Sequence, residues 1–374
     1  MGKTTLTSRE RLTRIFENKP IDRPSLKLWG ANIGQHIIHP DYTPVVELAC
    51  EITDIFNGAG SAFNILSGKS DSCKYSSERI ATGSPLWEDI LTTIETPKGT
   101  MRAVDRVSTV GEPGYTMEHF VKDESDLEKV LSMQYIPFEV DVEGYKREEL
   151  RIGDRGITTF GLDHAGYALS RLTGSETFAY LSRDNRELVH EVISAFADRL
   201  YAYVKEILEK GIKPVFSWVG PELLSPPLVS DNDFTDFVYK YDKPLCDLIR
   251  NGGGYVWLHT HGKVRKLLDR YIDMGIDVLN PLEPPKNGDI DFNEAVEKYG
   301  NRIGWEGNIE IQDILQAPQE TLRKLIADCV EAGKKSGRFI LCPSAGFMEY
   351  VNPSKQYIDN LMFYLNYGLE CIEK

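Results

Sequence analysis

Short apolar runs alternate with long amphipathic patterns from about residue 150 onward, and each run has the length of a buried strand. Six such runs lie at 157–161, 213–219, 255–259, 276–280, 302–306 and 338–342. Five of them follow a helical pattern that ends in glycine, which closes a helix in the left-handed conformation before the next strand begins. This repeated unit predicts a parallel sheet covered by helices.

Two further apolar segments, at 25–29 and 62–66, raise the predicted strands to eight, the number that closes a (β/α)8 TIM barrel. No glycine-rich dinucleotide loop follows any strand. The stretch from about 85 to 140 does not fit the repeat: 92–104 predicts a hairpin with its turn at 97–99, and 115–121 a third strand. We therefore expect one barrel domain over 1–374, with an N-terminal helical extension and an antiparallel β insertion between strands two and three.

Composition narrows the function classes. The chain has 374 residues, 41% of them hydrophobic, and 43 Lys and Arg against 57 Asp and Glu give a net charge of −14. This acidity argues against nucleic acid or an anionic membrane as a partner. The six cysteines are scattered without a CxxC motif, and neither a signal peptide nor a long apolar span is present. These features predict a cytoplasmic protein.

The segment 254–262 carries the clearest chemical signal, because an apolar strand pattern ends there in His259 and His261. Residues two apart on a strand share a face, so both imidazoles are expected at the barrel mouth, where they can supply half of a zinc site. In the alternative interpretation, one histidine bonds to backbone and the other is solvated. Glu222 follows the neighbouring strand four and is a candidate third ligand; otherwise it is a loop carboxylate bonded to backbone amides.

Other candidates lie at predicted strand ends. Asp163 and His164 follow strand three and suit substrate binding and proton transfer, although adjacent loop residues often diverge. Glu306 ends strand seven as a candidate catalytic carboxylate; otherwise it is a buried carboxylate paired within the barrel core. Trp29, Trp218 and Phe347 can form an aromatic wall for a substrate, although large aromatic side chains more often pack.

Several motifs together resemble one known family. Residues 8–24, with the pattern Arg-Glu-Arg followed by Asp-Arg-Pro, are similar to the opening of the uroporphyrinogen decarboxylase superfamily. The Leu-His-x-x-Gly segment at 258–262, the Gly-Asn-Ile at 307–309 and the strand at 339–346 resemble later motifs of that family in the same order. The resemblance covers nearly the whole chain and implies a TIM barrel.

The resemblance implies either decarboxylation of a porphyrinogen or zinc-dependent methyl transfer with a corrinoid (cobalamin) protein. True decarboxylases carry arginines after strand one to hold the substrate's carboxylates, but here Trp29 and Asn32 occupy that segment, and both are candidate substrate-binding residues. The methyltransferase branch uses His-x-Cys and a later cysteine, and His259-Thr-His261 with Cys342 is the nearest match. We therefore expect a corrinoid-dependent methyltransferase with Glu222, His259, His261 and Cys342 as zinc ligands. Harder ligands favour an oxygen-bound methyl donor such as a methoxylated aromatic, hence O-demethylation. The alternatives are a metal-independent carboxy-lyase and a non-enzymatic barrel.

Overall fold

The structure is a computed structural model that describes residues 5–60 and 63–374. Within these residues the strands, numbered in chain order, are β1 (Ser25–Leu26), β2 (Ile55–Gly58), β3 (Lys74–Ala81), β4 (Trp87–Thr96), β5 (Gly99–Ser108), β6 (Tyr115–Glu118), β7 (Gly156–Asp163), β8 (Val215–Val219), β9 (Tyr255–His259), β10 (Val278–Asn280), β11 (Gly304–Ile309) and β12 (Phe339–Pro343).

The α-helices of the same residues cover the outside of the strands and cap one end of them. They are α1 (Ser8–Phe16), α2 (Thr43–Ile52), α3 (Glu124–Ser132), α4 (Val142–Ile152), α5 (Ala165–Asp184), α6 (Arg186–Glu209), α7 (Asp231–Phe234), α8 (Lys240–Asn251), α9 (Leu268–Met274), α10 (Phe292–Tyr299), α11 (Ile311–Gln316), α12 (Gln319–Ser336) and α13 (Lys355–Glu373). No helix in the described ranges is long and apolar enough to cross a lipid bilayer.

Eight strands form one parallel sheet in the order β1-β12-β11-β10-β9-β8-β7-β2. The two outermost strands, β1 and β2, approach each other, because the backbone N–H of Asp54 donates to the carbonyl oxygen of Leu26 at 2.8 Å. The sheet therefore curls round on itself with helices outside it, which confirms the predicted (β/α)8 barrel.

Side-chain hydrogen bonds replace most of the backbone hydrogen bonds at the seam between β1 and β2. The Asp54 carboxylate accepts from the backbone N–H of Leu26 at 3.3 Å and from the guanidinium of Arg11 at 2.9 Å. Arg11 also pairs with Asp22 at 2.8 Å. Arg11 and Asp54 are almost completely buried, so their charges are compensated by each other and by Asp22. The N-terminal helix thus contributes directly to barrel closure.

Helix α1 also closes the bottom of the barrel. Thr7 and Glu10 form a capping box at its start, which satisfies two of its free amide groups. Its buried Leu12, Ile15 and Phe16 pack with inward-facing strand residues in a cluster that is separate from the outer core between strands and helices. The barrel interior is therefore apolar at the α1 end, and its polar groups lie nearer the mouth.

The second strand lies where sequence reasoning did not place it. We predicted it at 62–66, but the strand is β2 (Ile55–Gly58), which pairs with β7. Ala62 lies outside the described residues, and Phe63 to Leu66 form no strand. The prediction was wrong because β2 is short and ends in Asn57 and Gly58, so its apolar signal is weak.

The insertion between strands two and three is an antiparallel sheet in the order β3-β4-β5-β6, as predicted. The hairpin of β4 and β5 turns at the expected position, with Thr96 opposite Gly99. Strand β3 was missed because its residues are all exposed and carry no apolar alternation. Helices α3 and α4 then lead the chain back to the barrel at β7.

Candidate active site

A cavity of about 500 Å³ opens at the carboxyl ends of the barrel strands, the face on which TIM-barrel enzymes carry their active sites. Strand ends and the loops that follow them supply its walls. The lining residues are Lys27, Leu28, Trp29, Gly30, Asn32, Phe56, Gly58, Thr159, Tyr167, Ser217, Val219, Gly220, Glu222, Trp257 and His259. Four of these residues carry Trp, Phe or Tyr rings and six are polar or charged, so the walls combine aromatic surface with polar groups, as small-molecule sites do.

A buried polar network lies at the floor of this cavity. The Lys27 ammonium donates to Glu306 Oε1 at 2.6 Å, and Glu306 also accepts from Trp257 Nε1 at 2.7 Å and from Asn280 Nδ2 at 3.0 Å. Glu306 has no exposed surface and Lys27 very little. The structure therefore places Glu306 as a charge partner in the barrel interior, below the cavity and not in its wall. Its predicted catalytic role stays a prediction.

The network fixes the orientation of the His259 imidazole. Because the Asn280 amide nitrogen donates to Glu306, its Oδ1 is the atom that faces His259 Nδ1, at 2.7 Å. His259 Nδ1 must then carry the proton, which leaves the Nε2 lone pair available. Burial, together with the charges of His261 and Lys27, lowers the pKa of His259 to about 4. The imidazole is thus neutral at pH 7 and its Nε2 can accept a proton or bind a metal.

His261 lies next to His259 at the rim of the cavity. The two rings are 4.8 Å apart between centroids and almost perpendicular. His261 Nδ1 is 3.0 Å from Glu283 Oε1, and this hydrogen bond raises the pKa of His261. Burial alone would raise the pKa of Glu283, but the hydrogen bonds from His261 and from the Gly262 amide lower it. His259 is therefore held neutral, whereas His261 favours its charged form.

Glu222 lies in the cavity wall, on the loop after β8. Its Oε2 atom is buried and has no hydrogen-bond partner among the residues that the structure describes. The Nε1 atom of Trp29, in the same wall, likewise lacks an acceptor within the described residues. Buried polar atoms are normally paired, so these two atoms are places where a ligand can supply the missing partner.

Three predicted residues at the ends of β7 and β8 lie away from the cavity. On β8, Ser217 and Val219 line the cavity, so Trp218 points to the helices, where it packs against His164 at 5.1 Å. His164 is fully buried, 3.2 Å from Asp242 of α8, and caps α5. Asp163 is exposed at the end of β7 and is not part of the cavity wall. Trp29 and Asn32, in contrast, both line the cavity.

The four predicted zinc ligands do not form one set. Cys342 is completely buried beside Glu306, and burial raises the pKa of its thiol well above the ordinary value. Glu222, His259 and His261 have suitable donor atoms at the mouth. However, no three His, Cys, Asp or Glu side chains in the described ranges are arranged to hold a metal ion. Phe347 is also absent from the cavity wall, because it stacks on Tyr42 at 4.3 Å.

Sequence reasoning missed three residues that shape the site. Lys27 and Trp257 belong to the floor network, and Tyr167 lines the wall from the first turn of α5. Lys27 had a signal, since a lysine within the apolar segment 25–29 requires a buried partner. Trp257 lies two residues before His259 on one strand, so it shares a face with that histidine. Tyr167 had no such signal.

The protein is a parallel α/β barrel of the TIM type, and a polar and aromatic cavity lies at the carboxyl-end mouth of its strands. Residues 163–356 match the uroporphyrinogen decarboxylase (URO-D) family, and the chain belongs to that family. No curated protein matches the chain in sequence.

A solved structure shares this fold. The chain is similar to a methyltransferase from Methanosarcina mazei, with a TM-score of 0.59 and 15% identity over 96% of this chain and 98% of that one. It is less similar to an endoglucanase from Clostridium acetobutylicum, with a TM-score of 0.36 and 14% identity over 63% of this chain and 80% of that one, from which nothing follows. At 15% identity the similarity to the methyltransferase is one of fold.

Proposed function

We propose that this protein is a methyltransferase that moves a methyl group between a small donor bound in the cavity and a corrinoid carried by a partner protein. The single observation that carries the proposal is the cavity wall: aromatic rings, Glu222 and the Nε2 lone pair of His259, at the mouth of a URO-D family barrel. The likeness to a methyltransferase over nearly the full length of both chains supports it.

The chain's own residues perform three tasks in this proposal. The aromatic walls exclude water and position the donor, so that its methyl group faces the open mouth where the partner docks. Asn280 and Glu306 hold the His259 ring in one tautomer and orientation. The donor is the small molecule of the reaction; a methoxylated aromatic, hence O-demethylation, is the class favoured by the sequence.

Zinc is the second part of the proposal, with His259 and His261 as its ligands and Glu222 as a candidate third. When bound, zinc would supply Lewis acidity. We assign no reaction step to it, because the described side chains do not form a complete set. Cys342 is not included, since its thiol is buried beside Glu306.

Porphyrinogen decarboxylation is the second candidate function, as the family's description implies. A substrate rich in carboxylates needs cationic partners, but among the described lining residues Lys27 is the one Lys or Arg, and it is already paired with Glu306. This favours methyl transfer over decarboxylation.

The test measures bound metal and methyl transfer in the same preparations. The protein is purified without chelator as wild type, as His261→Ala, and as His36→Ala, an exposed-histidine control. Each is assayed for conversion of cob(I)alamin to methylcobalamin with a panel of methyl donors, and for carbon dioxide release from a porphyrinogen. Methylcobalamin formation supports the methyltransferase, and zinc lost only in His261→Ala supports the metal site. Carbon dioxide release without methyl transfer would replace the proposal with the decarboxylase.

A further inference from the structure

Resting on the proposed methyl transfer, we propose that the methyl donor is a small methylated ammonium cation, held between the aromatic walls and the Glu222 carboxylate. This assigns Glu222 to the substrate and not to a metal. It also changes the expected donor from an ether oxygen to a positively charged nitrogen.

The charges of the cavity wall do not balance. Two charged side chains line the described cavity, Lys27 and Glu222. Lys27 is neutralised by Glu306 at 2.6 Å, whereas Glu222 Oε2 is buried without any donor in the described structure. Glu222 itself is half-buried, and His261 at the rim attracts it electrostatically but gives Oε2 no hydrogen bond. A carboxylate oxygen buried without a partner is costly, and a cation in the cavity is a ligand that compensates it. The cavity is therefore suited to a positive ligand and not to an anionic aromatic acid.

The rings of the cavity already hold a cation in this structure. The Lys27 ammonium lies 4.3 Å from the ring centroid of Trp29, 4.1 Å from that of Phe56 and 4.6 Å from that of Trp257. Tyr167 adds a fourth ring to the same cavity. Aromatic rings combined with a carboxylate are how proteins recognise quaternary ammonium groups, which cannot donate a hydrogen bond. A volume of about 500 Å³ leaves room for such a group.

The leaving group favours the same donor. The Co(I) nucleophile of the partner's corrinoid attacks a methyl carbon of the ammonium ion, a Co–C bond forms, and the electron pair of the broken C–N bond goes to nitrogen. The product is a neutral amine, so no proton has to be supplied. An ether would instead release an oxyanion, which the Glu222 carboxylate would repel.

The loss of charge at the donor also determines the kinetic role of Glu222. Because the positive charge of the donor disappears during the reaction, the carboxylate stabilises the bound donor more than the transition state. Glu222 is thus a binding residue, and its loss should raise KM for the cation without lowering kcat.

The first experiment measures binding in chelator-treated protein by calorimetry and tryptophan fluorescence. The probes are choline, its neutral isostere 3,3-dimethylbutan-1-ol, and 4-methoxybenzoate. The proteins are wild type, Glu222→Gln, Tyr167→Leu, and Glu78→Gln as a matched exposed-carboxylate control. We expect wild type to prefer choline, and Glu222→Gln to weaken choline by about tenfold or more while leaving the isostere unchanged.

Equal binding of choline and its isostere, or choline affinity unchanged in Glu222→Gln, would overturn the inference. Should Glu222→Gln fail to fold, Tyr167→Leu gives the second test, because it removes a ring and should weaken choline more than the isostere. Zinc added to wild type should leave the affinity for choline unchanged. If zinc instead displaces choline, Glu222 is a metal ligand and the inference is wrong.

The methyl-transfer assay separates this inference from the proposed function. Choline binding that depends on Glu222, without methylcobalamin formation from any donor, would refute methyl transfer and leave the cation site. Methylcobalamin formed from methoxylated aromatics, by a protein that does not bind choline, would refute the cation and leave methyl transfer.

Discussion

The buried pair of Lys27 and Glu306 offers the sharpest test of the cavity floor. The change Lys27→Met keeps the length of the side chain and removes its charge, which leaves the fully buried Glu306 with two neutral donors, Trp257 Nε1 and Asn280 Nδ2. Breaking a buried pair in this way leaves an uncompensated charge, and we expect a loss of about 3–4 kcal/mol in the free energy of unfolding at pH 7. That is a large part of the stability of an ordinary domain.

The assay is urea unfolding followed by tryptophan fluorescence, for wild type, Lys27→Met, and the double variant Lys27→Met/Glu306→Gln. The double variant should recover most of the loss, because a neutral amide no longer needs a cation. A deficit below about 1 kcal/mol at pH 7, or a double variant no more stable than the single one, would refute this account of the floor.

Three further outcomes follow from the structure. Burial raises the pKa of Asp277 to about 6, above its unfolded value, so this carboxyl adds stability as the pH falls from 7 to 4.5. Asp277→Asn should lose roughly 2 kcal/mol of that pH dependence in urea titrations relative to wild type. Gly220 has a φ of +92°, and a Cβ there would lie 2.3 Å from the Tyr167 ring. Gly220→Ala should therefore lower both the melting temperature and the affinity for choline. A decrease in only one of these two quantities would contradict the contact. Asn280→Leu should reduce methyl transfer by about 10- to 100-fold through the freed His259 ring, with little change in choline affinity.

The sequence predicted the barrel because its strands and helices repeat with clear periods, and it predicted the insertion because a hairpin has a recognisable turn. It did not predict which face of a strand points inward. Strands of a parallel barrel are buried on both faces, so the run at 215–219 shows no alternation of apolar and polar residues that would mark its inward face. Trp218 was therefore placed in the site, although its neighbours Ser217 and Val219 are the residues that line it.

Whether a residue at a strand end enters the cavity depends on where the chain begins to turn, and the sequence does not show that point. His259 lies in the cavity because the strand itself carries it there. His164 follows its strand by one residue, where the chain already turns into α5, and its imidazole caps that helix instead. Contacts between distant segments, such as Lys27 with Glu306, leave no periodic signal in a single sequence and become visible only once the barrel is closed.

The seam of the barrel has a consequence for how the protein responds to its ligand. The cavity spans this seam, with Trp29 and Asn32 on the β1 side and Phe56 and Gly58 on the β2 side. The ladder is sparse there, and the Asp54 carboxylate stands in for part of it. A molecule that fills the cavity contacts both sides and so opposes their separation. Hydrogen–deuterium exchange should accordingly slow at the Leu26 and Asp54 amides on ligand binding, so that occupancy of the site and closure of the barrel rise together.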